Sequence, residues 1–135
     1  MKMIVSLAFA SSMLLSVPTV ASEGQFAKPA LVLRQIAEGM PNGGRQEVRI
    51  MTATFKPGDK TVHHTHRFPV TVYVLEGEFT LELAGRPPIV LKAGEAMIEP
   101  PKVAMTGFNR SATMQTKVVI FYVSDPETPF LDAAH

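Results

Sequence analysis

Three of the four histidines of the chain fall within His-His-Thr-His at positions 63–66. This stretch lies between Phe-Lys-Pro-Gly at 55–58 and Val-Thr-Val-Tyr-Val-Leu-Glu-Gly at 70–77. The histidines fall in a segment that is predicted to be a β-strand, and alternate side chains of a strand point to the same face. His64 and His66 are therefore expected to project together. Two imidazoles on one face, walled by apolar strands, form half of a metal site, whereas the alternative is a pair of hydrogen-bonded core histidines.

The rest of the chain alternates between short strands and turns. Valine, aromatic and alternating apolar residues predict six further strands, and Gly and Pro clusters predict the turns between them. A helix is conceivable only over 34–40 and at the last few residues. The pattern predicts an all-β fold, either a barrel or a double-sheet roll. The predicted strands cover residues 47–55, 70–75, 78–83, 89–91, 96–99 and 115–123.

The spacing around the histidines resembles the first signature of the cupin family. Five residues separate Gly58 from His64, one residue separates His64 from His66, and Gly77 closes the next strand. The segment from His64 to Val70 is similar to that of small secreted cupins. Their histidine strand is followed by a proline and a valine in the same way.

A second cupin signature is present in part. Gly94 is followed after five residues by Pro100, and Asn109 falls nine positions after that proline. The resemblance covers residues 51–123. It implies a single cupin-type β-barrel, a double-stranded β-helix of the RmlC-like, jelly-roll kind, over residues 46–123.

Two positions depart from the family pattern. The usual glutamate ligand is replaced by Val70, and the histidine of the second signature is replaced by Met105. The resemblance thus implies a metal site of His64 and His66, with Met105 where a third histidine usually stands. Three interpretations stay open: a decayed or very weak site, a two-histidine site completed by water or substrate, and a copper site that uses the thioether of Met105.

The other candidate residues receive weaker assignments. His63 is expected to point away from the cavity to the surface, and His135 lies in a terminal tail and is assigned no role. Glu99 directly precedes two prolines and is predicted to be a solvated strand-end residue. The alternative for Glu99 is a carboxylate near the mouth of the barrel.

The two ends of the chain lie outside the predicted barrel. Residues 1–21 combine a lysine, an apolar stretch and small residues, the order of a secretory signal peptide, which predicts a periplasmic or secreted protein. The apolar part is shorter than the roughly 20 residues of a spanning helix, so no membrane contact is expected after cleavage. Residues 22–45 are predicted to form a tail and an edge strand at 31–36. Residues 124–135 are predicted to form a C-terminal tail.

Composition narrows the classes of function. The chain has no cysteine, which excludes disulfides, thiolate metal sites and a cysteine nucleophile. Its basic residues are scattered and its net charge is +1, so no nucleic-acid partner is expected. The predicted function is a binding module that holds a divalent or copper ion, a small molecule or both. The alternative is a metal-dependent oxygenase, isomerase or lyase, and the predicted assembly is a homodimer formed through the edge strand.

Overall fold

The structure, a computed structural model, describes residues 26–135, so the predicted signal peptide lies outside the described residues. Within this range the chain forms strands and no helix. The described residues therefore contain no helix that is long and apolar enough to cross a membrane. The strands are β1 (Glu47–Phe55), β2 (His64–Thr65), β3 (Val70–Glu76), β4 (Glu78–Leu83), β5 (Ile89–Lys92), β6 (Ala96–Glu99), β7 (Met105–Phe108), β8 (Thr116–Ser124) and β9 (Asp132–Ala133).

The strands form two antiparallel sheets. One has the order β1-β8-β3-β6 and the other has the order β5-β4-β7-β2-β9. The histidine strand β2 lies between β7 and β9, in the second sheet, whereas β6 forms an edge of the first. The prediction of an all-β fold, a barrel or double-sheet roll, is confirmed.

The core lies between the two sheets and follows directly from period-two alternation. In β3, the valines at 70, 72 and 74 are at most 2% exposed, while the residues between them are half-buried. Phe79, Leu81 and Leu83 of β4 are buried from the other sheet. Each such side chain contributes about 1.5–3 kcal/mol of burial free energy. This core fixes the register of both sheets and hence the side chains that face inward.

Residues 26–46 follow the surface without a strand. Leu31 and Ile36 are exposed, so the predicted edge strand at 31–36 does not form within the single chain. Its pairing with a partner subunit stays a prediction. At the other end, β9 pairs with β2, placing Ala133 opposite His64. Part of the predicted C-terminal tail therefore belongs to the sheet that carries the histidines.

Candidate metal and ligand site

The two histidines of the His-x-His pair lie together inside the barrel. His64 is 5% exposed and His66 is 1% exposed. Their Nε2 atoms face each other at 3.1 Å. His63 is exposed instead, with its Nδ1 atom 3.0 Å from the hydroxyl of Thr106. The alternation predicted from the sequence thus describes the direction of all three side chains.

Hydrogen bonds to backbone carbonyls determine which ring nitrogen carries the proton. Nδ1 of His64 lies 2.7 Å from the carbonyl oxygen of Val62, and Nδ1 of His66 lies 2.6 Å from that of Phe130. A carbonyl oxygen only accepts, so both Nδ1 atoms donate. In the neutral rings the two Nε2 lone pairs then point at each other. Such an arrangement is favourable only when a cation, either a proton or a metal ion, lies between them.

The same hydrogen bonds are typical of histidines that bind metals. A ligating imidazole almost always donates its other N–H to a carbonyl or carboxylate, which fixes the tautomer and the ring direction. Burial lowers the pKa of His64 below its ordinary value, which favours the neutral ring that a metal needs. Two nitrogens bound to one ion at about 2.1 Å lie about 3.0 Å apart at a right angle and about 3.4 Å apart at the tetrahedral angle. The observed 3.1 Å lies within this range.

Glu99 reaches the same place from the opposite sheet. Its carboxylate Oε2 lies 3.3 Å from Nε2 of His66, and the residue is 5% exposed. The prediction of a solvated strand-end residue is therefore wrong. Glu99 ends β6 immediately before Pro100, and β6 turns the side chain of its last residue inward.

The cluster is not a complete coordination shell. In the described part of the chain, no three His, Cys, Asp or Glu side chains are arranged closely enough to hold a metal ion as they stand. His66 contacts both of the other groups, whereas Glu99 lies within salt-bridge distance of His66 and of no other histidine of the described range. The donor types nevertheless suit a cation, because Nε2 of His66 lies beside both Nε2 of His64 and the carboxylate of Glu99.

Met105 lies beside this cluster and belongs to the core. It is directly opposite His64 in the pairing of β2 with β7 and is 0% exposed. It is absent from the lining of the central cavity, which His64 and His66 share. Met105 therefore lies next to His64, and its role as a metal ligand stays a prediction.

The histidines and Glu99 open onto a cavity of about 60 Å³ between the sheets. The other lining is mostly apolar and comes from both sheets and from the C-terminal segment: Phe55, Thr61, Val72, Phe79, Leu81, Gly107, Val118, Ile120, Phe130 and Leu131. Ligand pockets of drug-sized molecules usually measure roughly 300–1,000 Å³. A cavity of this size holds water or a ligand of few atoms.

The C-terminal segment closes one side of the site. The ring of Phe130 packs against His66 at a centroid distance of 4.8 Å, and its carbonyl oxygen accepts the hydrogen bond of the same histidine. Arg67 and Asp132 hold the segment in place through an exposed ion pair at 2.8 Å. Sequence reasoning missed this contribution because a backbone carbonyl can come from any residue type.

A turn after β6 connects Glu99 to the histidine strand. Lys102 adopts the left-handed conformation at φ 61° and donates its backbone N–H to the carbonyl oxygen of His66 at 2.7 Å. This bond holds the end of β6 next to the histidine strand. The geometry of the His66–Glu99 contact is thus supported by the backbone as well as by the side chains.

Comparison with known proteins agrees with this architecture. The family model described as a cupin domain matches residues 51–122. No curated protein matches the chain. Among solved structures, a cupin-like protein from Thermotoga maritima is similar with a TM-score of 0.56 and 20% identity, over 64% of this chain and 64% of that chain.

Two further structures share the fold. The DMSP lyase DddQ from Ruegeria pomeroyi is similar with a TM-score of 0.56 and 18% identity, over 64% of this chain and 43% of that chain. An RmlC-like cupin with a double-stranded β-helix fold from Methanocaldococcus jannaschii has a TM-score of 0.50 and 22% identity, over 58% of this chain and 70% of that chain. The chain thus spans less than two thirds of the length of the first two structures, and at these identities the likeness concerns the fold.

Proposed function

This chain belongs to the cupin-domain family, and we propose that it is an exported binding protein that holds a metal ion inside its barrel. His64 and His66 are the ligands of this proposal, and Met105 lies next to them. Export rests on the charged, apolar and small-residue order of residues 1–21. The ion is a divalent metal or copper.

One observation carries the proposal. The Nε2 atoms of the two buried imidazoles face each other at 3.1 Å while both Nδ1 atoms are engaged by carbonyl oxygens. Such a pair needs a positive charge between its lone pairs. A proton is the competing occupant, because a single imidazolium hydrogen-bonded to its neighbour also satisfies the geometry.

A small ligand would share the cavity with the ion. The cavity has a mostly apolar lining and leaves room for a few atoms beside the metal. The second candidate function, a metal-dependent enzyme acting on a small molecule, is favoured by this same opening. A bound divalent ion would act there as a Lewis acid toward such a molecule. His64 and His66 would hold the ion, and the apolar walls would orient the substrate.

Metal content tests the proposal. Tag-free protein with the substitutions His64→Ala and His66→Ala is expected to lose at least nine tenths of the bound metal of the wild type, because each imidazole is a ligand. The measurement is elemental analysis after exhaustive dialysis against buffer containing equal low concentrations of Mn²⁺, Fe²⁺, Zn²⁺ and Cu²⁺. His63→Ala is the matched control, since its imidazole is exposed.

Retention of metal in the control together with its loss in the double variant supports the proposal. Equal, negligible metal in the wild type and the double variant would show that the histidines hold a proton only. Circular dichroism on the same samples reports whether each variant has folded.

We also propose that two copies of the chain associate through β1. This strand is an edge of its sheet, and its outward residues Val48 and Ile50 are both 66% exposed. A long apolar edge strand has unpaired backbone groups that an identical strand can pair with, and the resulting interface is isologous. The exposed apolar segment at 31–36 would cover further surface in such a dimer.

Light scattering at micromolar concentration tests the dimer. The wild type is expected to have twice the mass of the chain, whereas Val48→Lys with Ile50→Lys should give a monomer, because like charges would meet across the interface. Val90→Lys is the control, since Val90 is exposed on the other sheet. A monomeric wild type would refute this assembly and leave the metal site untouched.

A further inference from the structure

The position where the cupin resemblance expects a glutamate ligand has a carboxylate directly beside it. Val70 occupies that position, and Val70 pairs with Glu99 in the antiparallel register of β3 and β6. Side chains of directly opposed residues lie on the same face of a sheet, with Cβ atoms about 4.5–5.5 Å apart. Both residues are buried, Val70 at 0% and Glu99 at 5% exposure. The carboxylate of Glu99 therefore enters the barrel from β6, one strand away from position 70, where the resemblance expects the glutamate ligand.

The surroundings of Glu99 require a positive partner. A buried carboxylate is costly unless it is paired or coordinates a metal. Within the described residues its one ion-pair partner is His66, whose Nε2 atom lies 3.3 Å from Oε2 and also 3.1 Å from Nε2 of His64. Even if Nε2 of His66 carried a proton as well, that one proton could serve only one of the two neighbours fully. One metal ion bound by all three groups would satisfy each of them.

We propose that Glu99 is the third protein ligand of this metal site and supplies, from β6, the carboxylate that Val70 cannot provide from β3. The inference rests on the proposed function. Two imidazoles and a carboxylate form a ligand set for Fe²⁺, Mn²⁺ or Zn²⁺, in contrast to the softer set that Met105 would complete for Cu(I). The remaining coordination positions open onto the cavity that all three side chains line.

The substitution Glu99→Gln tests this role, because it removes the charge and keeps the shape of the side chain. Calorimetric titration of the tag-free full chain with Mn²⁺ and with Zn²⁺ is expected to show at least a tenfold loss of affinity. Cu(I) affinity, measured by competition with a chromogenic chelator, should change less than threefold. Glu78→Gln is the matched control, since Glu78 is exposed at the start of β4.

A second variant tests whether the two positions are equivalent. Adding Val70→Glu to Glu99→Gln returns the carboxylate to the neighbouring strand on the same face, and Mn²⁺ affinity is expected to recover at least fivefold relative to Glu99→Gln alone. If this double variant does not fold, as judged by circular dichroism, the Glu99→Gln result decides.

The outcomes separate this inference from the proposed function. Wild-type affinity in Glu99→Gln, with binding lost in His64→Ala and His66→Ala, would overturn the role of Glu99 and leave the two-histidine site standing. Absence of Mn²⁺, Zn²⁺ and Cu(I) binding in the wild type would overturn the proposed function and the inference with it. Loss of Mn²⁺ and Zn²⁺ affinity in Glu99→Gln but not in Glu78→Gln supports the inference.

Discussion

Met105→His is expected to raise the affinity for Zn²⁺, Ni²⁺ or Mn²⁺ at least tenfold. Met105 lies directly opposite His64 and is fully buried, so a new imidazole enters the barrel beside the existing pair. Loss of an outer-shell partner already changes metal affinity about 10–100-fold, and a direct ligand should contribute at least as much. Competition titrations with a zinc chelator measure the change.

Met105→Leu is the companion variant. It keeps an apolar side chain of similar volume and removes only the thioether sulfur. If Met105 fills core space, Leu should leave every metal affinity unchanged. If Met105 is a copper ligand, Leu should weaken Cu(I) binding, and Met105→His should shift preference away from Cu(I). A folded Met105→His protein with unchanged affinity for all of these ions would refute the placement of residue 105 at the metal.

Gly77→Ala should unfold the domain or destabilise it by about 4 kcal/mol or more, which places it among the most damaging single substitutions. Gly77 joins β3 to β4 at φ 72°, a conformation that L side chains rarely adopt. A Cβ atom there would also overlap the backbone carbonyl of Gln115 and approach the Thr116 hydroxyl at 3.0 Å. Backbone atoms on a packed strand cannot move aside cheaply.

Gly85→Ala separates the cost of the positive φ angle from the cost of the steric overlap. Gly85 has nearly the same backbone angle, φ 73°, but nothing lies within 4 Å of a Cβ built on it. It should therefore cost only the conformational penalty of about 1–2 kcal/mol. Urea unfolding of both variants measures the difference. Equal destabilisation of the two would show that strain, and not the close approach to β8, makes glycine necessary at 77.

Much of the architecture could be predicted because period-two alternation determines which face is buried. The bounds of β1 agree with the predicted strand, and Val48 and Ile50 share one face as predicted, but alternation did not reveal that this face is the exposed one. The inward direction of His64 and His66 was predictable for the same reason. The spacing of glycines, prolines and histidines then pointed to one fold among the all-β possibilities.

The sequence predicted the two histidines of the site but not the burial of Glu99 beside them. Residues 96–98 of β6 are all partly buried, so alternation gives no sign of which way Glu99 points. Its neighbour Pro100 suggested an exposed strand end. The burial of Glu99 depends instead on the long-range register with Val70, and a single sequence does not reveal that register. The contribution of the Phe130 carbonyl could not be predicted either, because its position depends on the pairing of β9 with β2.

The small volume of the cavity also lay beyond sequence reasoning. The spacing of motifs places side chains on strands, but the space left between them depends on how the rings of Phe55, Phe79 and Phe130 pack. A cavity of about 60 Å³ restricts any ligand to a few atoms. This restriction is the structural basis for proposing a metal with a small molecule rather than a larger organic ligand.

The metal ion of the proposed site is bound jointly by Nε2 of His64 and Nε2 of His66. Long-range ¹H–¹⁵N spectra of the ¹⁵N-histidine-labelled protein test it directly, because the chain has only four histidines and each ring nitrogen reports its own protonation or metal bond. On addition of one equivalent of Zn²⁺, the Nε2 signals of His64 and His66 are expected to move to metal-bound positions. Both Nδ1 atoms should stay protonated, while His63 and His135 should stay unchanged. Shifts confined to His63 and His135, with His64 and His66 unaffected, would show that the ion binds outside the barrel.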